Sequence, residues 1–201
     1  MHVFVESNFL LELAFRQSEH EVCERIRRGA GATTYALYLP QYALAEVFEK
    51  LRPLRNRRDE YRRYILEEIS QHRREDASDA TKMDDLTRAL TTLLEERTQQ
   101  QTQRLYRIAS ELAQEAAILT LSPAVIQQAH SLSQAHSLSP QDGLVYASIL
   151  DGLQRLPPQA PKLFISRNKD DFGKPSIRAE LQGLGCEYLA SFRAAAGRLG
   201  V

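Results

Sequence analysis

The stretch that decides the fold stands at residues 2–8, HVFVESN. After His2 it continues with β-branched and aromatic residues, which are typical of a buried strand. Glu6 and Asn8 follow directly, and the pattern from Phe9 onward is helical. Open parallel sheets bind ligands beyond the carboxyl ends of their strands, so a carboxylate at this strand-to-helix turn is a candidate for chemistry. Taken alone, Glu6 is better explained as a cap of the following helix, because acids are favoured in a first turn.

The composition indicates one globular domain. The chain has 201 residues, of which 43% are hydrophobic, enough for a real core. Lys and Arg together number 26, equal to Asp and Glu, so no overall charge attracts a polyanion. Binding to nucleic acid would therefore need a local patch of positive charge.

Cysteine and histidine usage indicates neither disulfides nor zinc. Cys23 and Cys186 have no partners at metal-ligand spacing, so both are expected to be buried thiols in a reducing compartment. The five histidines are scattered. The start of the chain lacks the basic region of a secretory signal, and no stretch approaches the ~20 apolar residues of a membrane span. We expect a cytoplasmic protein without membrane association.

Strand and helix patterns alternate along the chain, which predicts a parallel sheet. One helix is expected over 9–28 and a loop over 29–33. The segment 167–173 is also expected to be a loop, and no element is predicted from residue 190 onward. The expected strands are 2–5, 34–39, 116–121, 163–166 and 186–189.

Residues 50–115 are expected to be a helical insertion within the domain 1–201, in the form of a hairpin with a break at 76–79. Arginines are concentrated in its first helix, which favours a solvated face; the alternative is an arm that grips phosphates. Residues 95–104 contain no apolar position, so this part of the second helix either overhangs solvent or marks a turn.

Two further acids stand at starts of predicted helices. Glu46 interrupts the apolar run 42–48, where burial of an unpaired charge would be costly. Asp142 stands three residues after Ser139, the place of a capping-box acid. A solvated gap explains Glu46 about as well as a site does, and capping alone explains Asp142.

Together, these acids predict one acidic cleft. In a parallel sheet, Glu6 and the acids after Ser166 leave strand carboxyl ends, and Glu46 and Asp142 start helices at the same edge. Like charges held together raise one another's pKa unless a cation lies among them. Ligands that are all oxygen select a hard ion, Mg²⁺ or Mn²⁺, which activates water and neutralises charge on a phosphodiester.

At four places the residues resemble the PIN-domain nucleases. The resemblance covers most of the chain outside residues 50–115 and implies a three-layer α/β/α sandwich with a central parallel sheet of about five strands, a divalent metal and cleavage of RNA. The matching segments are 3–8, 39–46, 138–147 and 164–172.

Compared residue by residue, Glu46 and Asp142 match the second and third acids of that family, and Glu6 stands where the family usually has Asp. The fourth acid is expected at Asp171, with Asp170 as the alternative, because the usual place holds Asn168. The resemblance implies catalytic and metal-ligating roles for the four acids. Ligand-orienting roles are expected for Asn8, Ser166 and Asn168, and RNA contacts for Arg167 and Lys169.

The leading hypothesis is thus an endoribonuclease that depends on Mg²⁺ or Mn²⁺. Many members of the family are toxins of toxin–antitoxin pairs, so an antitoxin protein is one expected partner besides RNA, and a homodimer is left open. The alternative is a PIN-like module without catalysis that binds RNA or protein through its insertion. A third reading, a phosphatase-like enzyme, would need an aspartyl nucleophile that Glu6 does not provide.

Overall fold

The computed structural model describes residues 1–32, 35–75 and 80–201. At the centre of its sheet lies β1 (His2–Val5), which pairs in parallel with a strand on each side. The order across the sheet is β3-β2-β1-β4-β5, and all pairs are parallel. The α/β class and the parallel sheet expected from the sequence are confirmed. The other four strands are β2 (Ala36–Pro40), β3 (Ala117–Leu119), β4 (Lys162–Ile165) and β5 (Cys186–Leu189).

Helices make up most of the chain. None of those in the described ranges combines the length and apolar character that crossing a membrane requires. The helices are α1 (Ser7–Phe15), α2 (His20–Gly31), α3 (Gln41–Glu49), α4 (Leu51–Glu75), α5 (Ala80–Glu115), α6 (Pro123–His136), α7 (Pro140–Gln154), α8 (Lys169–Phe172), α9 (Pro175–Gly183) and α10 (Phe192–Leu199).

Side chains of β1 alternate between two hydrophobic cores, because successive residues of a strand point to opposite faces. Val3 and Val5 belong to the core that α1, α2, α3, α10 and the end of α5 cover. Phe4 belongs to the other core, which α6, α7, α8 and α9 cover. Helices therefore pack on both faces of the sheet, an arrangement compatible with a three-layer sandwich. Cys23 lies in the first core and Cys186 in the second, both buried and unpaired as expected.

The insertion forms an antiparallel hairpin of α4 and α5. Near its middle, Arg62 pairs with Glu95 across the two helices. No residue in 51–74 or 81–104 is buried, whereas Leu105 is fully buried in the core that contains Val3. The hairpin thus stands away from the sheet as far as residue 104, and the last turns of α5 pack on the domain core.

The helix predicted over 9–28 is wrong in its continuity. It is divided at Arg16, which has a left-handed conformation with φ of 50° and ends α1. The buried carboxylate of Glu12 accepts a hydrogen bond from the backbone nitrogen of Glu19, which closes the turn between the two helices. The loop expected over 29–33 is also wrong in part, because α2 continues to Gly31. Residue 33 lies outside the described residues.

The polar stretch 95–104 is not a turn, because α5 runs through it without interruption. Two of its polar side chains contact α4, where Arg58 donates hydrogen bonds to Thr98 and Gln101. The segment 167–173 contains the single turn of α8, and the chain after residue 190 forms α10, whose Phe192 is buried. The break expected at 76–79 lies outside the described residues.

The contact between α6 and α7 yields a stability prediction. A methyl group at Gly143 would lie 2.0 Å from Ser133 Oγ and 2.9 Å from the backbone oxygen of Ala129. We expect Gly143→Ala to cost about 1–3 kcal/mol through overpacking, which lowers the melting temperature by about 2–4 °C per kcal/mol in a chain of this size. Circular dichroism melting measures the change.

Gly197→Ala is the matched control, because no atom lies within 4 Å of the added methyl group. In a helix, alanine is favoured over glycine, so this variant should melt at the same temperature or higher. An unchanged melting temperature for Gly143→Ala would contradict the packing of α6 on α7.

Candidate functional site

A cleft of about 580 Å³ opens at the carboxyl edge of the sheet. Its floor lies beside the ends of β1 and β4. Between these two strands the direction of the strand order reverses. In open α/β sheets, this reversal point is where ligands bind. The residues that line the cleft are Glu6, Ser7, Asn8, Glu46, Glu49, Lys50, Pro53, Ser139, Gln141, Asp142 and Asn168.

Glu6 connects three elements of the fold at the bottom of the cleft. Its Oε2 accepts a hydrogen bond from the backbone nitrogen of Asn8 and another from Ser7 Oγ, both at 2.9 Å. Its Oε1 accepts from Ser166 Oγ at the end of β4, also at 2.9 Å. The carboxylate therefore caps α1 and faces the cleft at the same time, so capping and a site role do not exclude each other.

Burial governs the protonation of this group, since only 3% of the Glu6 surface is exposed. Burial raises the pKa of the Glu6 carboxyl above its ordinary value, and the charge of Glu46 adds to the rise. The hydrogen bonds from Asn8, Ser7 and Ser166 act in the opposite direction, because they stabilise the ionised form. Glu6 is thus held in place but carries an unfavourable charge.

Glu46 reaches the cleft from the side of α3. Together with Glu49, Lys50 and Pro53 it occupies positions i, i+3, i+4 and i+7, which share one helix face. Lys50 Nζ lies 3.7 Å from Glu46 Oε1, and the Glu46 side chain is 19% exposed. The acid in the apolar run is therefore neither buried without a partner nor fully solvated.

Asp142 reaches the cleft from the start of α7. Ser139 caps this helix, and its hydroxyl accepts from the backbone nitrogen of Asp142 at 3.1 Å. The same hydroxyl donates to Asp142 Oδ2, and Asn168 Nδ2 donates to Asp142 Oδ1 at 3.3 Å. Asp142 is thus both a first-turn helix residue and a wall of the cleft.

The phenol of Tyr42 provides a second indication that these acids converge. Burial raises the pKa of Tyr42, and the charges of Glu49, Glu46 and Asp142 raise it further. One hydroxyl therefore lies within electrostatic reach of two carboxylates of its own helix, α3, and of Asp142 from the distant helix α7. Only Lys50 contributes a positive charge to the lining, so the cleft is strongly acidic.

The structure does not bring Asp171 into the cleft. On the short helix α8, its Oδ1 lies 3.5 Å from Lys174 Nζ, and it is not among the lining residues. Asn168, which precedes α8 as its cap, lines the cleft instead. In this turn Asn168 lines the cleft, whereas Asp170 and Asp171, two and three residues later, are not among its lining residues.

The two basic residues expected to contact RNA differ in their surroundings. Arg167 bonds to the buried carboxylate of Glu12, and its Nε lies 3.9 Å from Glu19 Oε2. Its guanidinium therefore contacts the turn between α1 and α2, while 42% of the side chain stays exposed. The expected RNA contact of Arg167 stays a prediction. Lys169 is exposed on α8.

Sequence reasoning missed six residues that line the cleft, namely Ser7, Glu49, Lys50, Pro53, Ser139 and Gln141. The helical spacing from Glu46 could have indicated Glu49 and Lys50. Ser139 was recognised as a cap, but nothing in the sequence shows that a cap hydroxyl also binds the acid in the cleft.

No family model, curated protein or solved structure matches this chain. Across residues 1–32, 35–75 and 80–201, no three His, Cys, Asp or Glu side chains are grouped closely enough to hold a metal ion. The chemistry of the site therefore has to be argued from the cleft itself.

The buried Glu6 carboxyl makes stability depend on pH. Its pKa is raised in the folded protein, so the folded state holds more protons than the unfolded state above pH 4.5, the ordinary value. The free energy of unfolding should then fall as pH rises through this range. Glu6→Gln keeps the shape without the charge, so it should melt higher than the wild type near neutral pH, and the gap should close below pH 4.5.

Thermal melting across pH in a chelating buffer tests this, with Glu96→Gln on the exposed face of α5 as the control. That variant should follow the wild type at every pH. A wild-type advantage that grows with pH would show that the ionised form of Glu6 is the stabilising one.

Proposed function

We propose that this protein is a PIN-like endoribonuclease that depends on Mg²⁺ or Mn²⁺. The observation that carries the proposal is that Glu6, Glu46 and Asp142, which come from three distant parts of the chain, line one cleft. The reversal of strand order beside that cleft supports the PIN-like fold, and the helices on both faces support its three layers.

The chemistry of the donors fits a hard cation. The cleft is lined by carboxylates, hydroxyls and amides, and its lining contains neither Cys nor His. Oxygen donors of this kind are the ligands that Mg²⁺ and Mn²⁺ prefer. Glu6, Glu46 and Asp142 would hold the ion, and Asn168 would orient Asp142 through its amide nitrogen. When bound, such an ion activates water as the nucleophile and stabilises charge on the phosphodiester.

The residues around the three acids hold their carboxylates in position. Ser7, Ser166 and the backbone of Asn8 fix the position of the Glu6 carboxylate. Because the pKa of Glu6 is raised, ion binding favours release of its proton, so affinity should increase with pH. Ser139 and Asn168 hold both oxygens of Asp142 in orientation.

One observation favours the alternative, a PIN-like module without catalysis. Lys50 already supplies a positive charge 3.7 Å from Glu46, and both oxygens of Glu6 already accept hydrogen bonds. Such a cleft can be stable without an ion, and the protein would then act through binding alone.

The proposal predicts metal-dependent cleavage of RNA. With Mn²⁺ or Mg²⁺ the wild type should cut a mixed RNA pool, and a chelator should stop it. Glu46→Gln and Asp142→Asn should each lower the rate about 100-fold or more, because loss of a ligand should exceed the 10–100-fold cost of losing a group that only supports one. Gel analysis of single-turnover reactions measures the rates.

Two further variants sharpen the assay. Glu96→Gln removes an exposed acid outside the cleft and should leave the rate unchanged. Asp171→Asn distinguishes a site of Glu6, Glu46 and Asp142 from one that also includes Asp171. Because Asp171 pairs with Lys174, most of the activity should remain in this variant. Equal cutting by all variants, or cutting in the presence of chelator, would indicate a contaminating nuclease and remove support for the proposal.

A further inference from the structure

A second cluster of polar side chains lies outside the acidic cleft, where the end of α6 meets the start of α9. Ser176 and Glu180 are four residues apart on α9, so they share one face of that helix. His136, the last residue of α6, contacts both of them. Its Nδ1 is 2.9 Å from Ser176 Oγ, and its Nε2 is 3.1 Å from Glu180 Oε2. None of the three residues lines the cleft.

The carboxylate of Glu180 decides which nitrogen of His136 carries the proton. An ionised carboxylate only accepts hydrogen bonds, so its contact with Nε2 requires Nε2–H as the donor. In the neutral imidazole, Nδ1 is then the acceptor, and the hydroxyl of Ser176 donates to it. The serine hydroxyl thus faces a base, and an acid orients that base. This is the arrangement that activates a serine as a nucleophile.

Neighbouring groups hold the base and the acid in position. The hydroxyl of Tyr146 on α7 donates to Glu180 Oε2 at 2.8 Å. Burial raises the pKa of the Tyr146 phenol, so the phenol stays protonated and keeps this hydrogen bond at neutral pH. Lys174 Nζ donates to the backbone oxygens of His136 and Ser137, both at 2.9 Å, which connects the end of α6 to the start of α9. The positions of the base and the acid are therefore fixed by contacts outside the cluster.

The backbone beside Ser176 provides donors for a developing negative charge. Pro175 is the first residue of α9, so the N–H groups of Ser176 and Ile177 have no acceptor within the helix. Free backbone N–H groups next to a nucleophile stabilise an oxyanion, and the helix dipole adds to the effect. Ser176 is exposed, whereas only 11% of the His136 side chain is. A substrate can therefore reach the hydroxyl from solvent while the base stays shielded.

We propose that Ser176, His136 and Glu180 form a second reactive site, an acyl-transfer triad that hydrolyses small carboxylic esters. Ser176 Oγ bonds to the carbonyl carbon of the ester and gives its proton to His136 Nδ1. The bond from the carbonyl carbon to the leaving oxygen then breaks, and the leaving alcohol takes the proton from Nδ1. Glu180 stabilises the positive charge that His136 carries between the two transfers.

Water completes the reaction by the same route. Its oxygen bonds to the acyl carbon, and its proton passes to His136 Nδ1 and from there to Ser176 Oγ as the serine leaves. The net products are a carboxylic acid and an alcohol. This reaction uses neither the acidic cleft nor a metal ion, so it goes beyond the proposed nuclease.

The surroundings of Ser176 favour a small acyl group. Its neighbours on the same side of α9, Pro175 and Ala179, are exposed as well. They offer little surface on which a long acyl chain could be held. We therefore expect short esters with good leaving groups to react, because these depend least on binding.

A covalent probe tests the nucleophile directly. The probe is a biotin-tagged alkyl fluorophosphonate, which phosphonylates activated serines, and it is applied to the full chain in EDTA. We expect labelling at Ser176, located by mass spectrometry of the digested protein, and none in Ser176→Ala or His136→Gln. Ser131→Ala removes another exposed hydroxyl, from α6, and should be labelled as the wild type is.

Turnover is measured with p-nitrophenyl acetate, also in EDTA. Ser176→Ala and His136→Gln should each lower kcat/KM about 100-fold or more, since general base catalysis contributes at least that much. Ser131→Ala should keep the wild-type value. Ser176 is exposed, so Ser176→Ala should keep the circular dichroism spectrum of the folded protein, which separates lost chemistry from lost folding.

A wild type that resists the probe, or labelling that persists in Ser176→Ala, would overturn the triad. The cluster would then be only a hydrogen-bonded link between α6 and α9. Labelling of Ser176 that survives His136→Gln would also overturn it, because the serine would react without its base. A labelled protein that does not turn over the ester would overturn the hydrolysis. Each of these results leaves the metal-dependent cutting of RNA to its own assay.

Discussion

One buried carboxylate connects the elements at the centre of this fold. Glu6 lies between β1, α1 and β4, and it accepts hydrogen bonds from the first turn of the helix and from Ser166 at the end of the neighbouring strand. A buried charge is costly unless polar groups surround it. Three hydrogen bonds stabilise the ionised form of Glu6, yet burial still raises the pKa of its carboxyl. A cation bound beside Glu6 would stabilise its negative charge.

The remainder of the molecule separates its charges by region. Acids from α3 and α7 line the cleft, whereas the first half of α4 is rich in arginine, of which Arg62 pairs with Glu95. The acidic cleft by itself would repel a substrate with a negative backbone. The proposed function therefore requires a metal ion in the cleft before a phosphodiester can enter it.

The sequence predicted well what depends on local pattern. Strand β1, the cap at Ser139 and the convergence of Glu6, Glu46 and Asp142 followed from the apolar period and from the edge at which parallel strands end. It failed where a tertiary contact decides. The break at Arg16 accompanies the buried Glu12, whose carboxylate closes the turn and also pairs with Arg167. Asp171 lies on the short helix α8, where it pairs with Lys174 and does not line the cleft. No spacing rule in the sequence would reveal the break at Arg16 or this position of Asp171.

The central claim is that Glu6, Glu46 and Asp142 form a single cation site. Its most direct test is a crystal soaked in Mn²⁺ and measured for anomalous scattering. The account predicts an anomalous peak in the cleft, with oxygens of these three residues as its protein ligands. A map without a peak there, in crystals that show Mn²⁺ bound elsewhere on the same molecule, would contradict it.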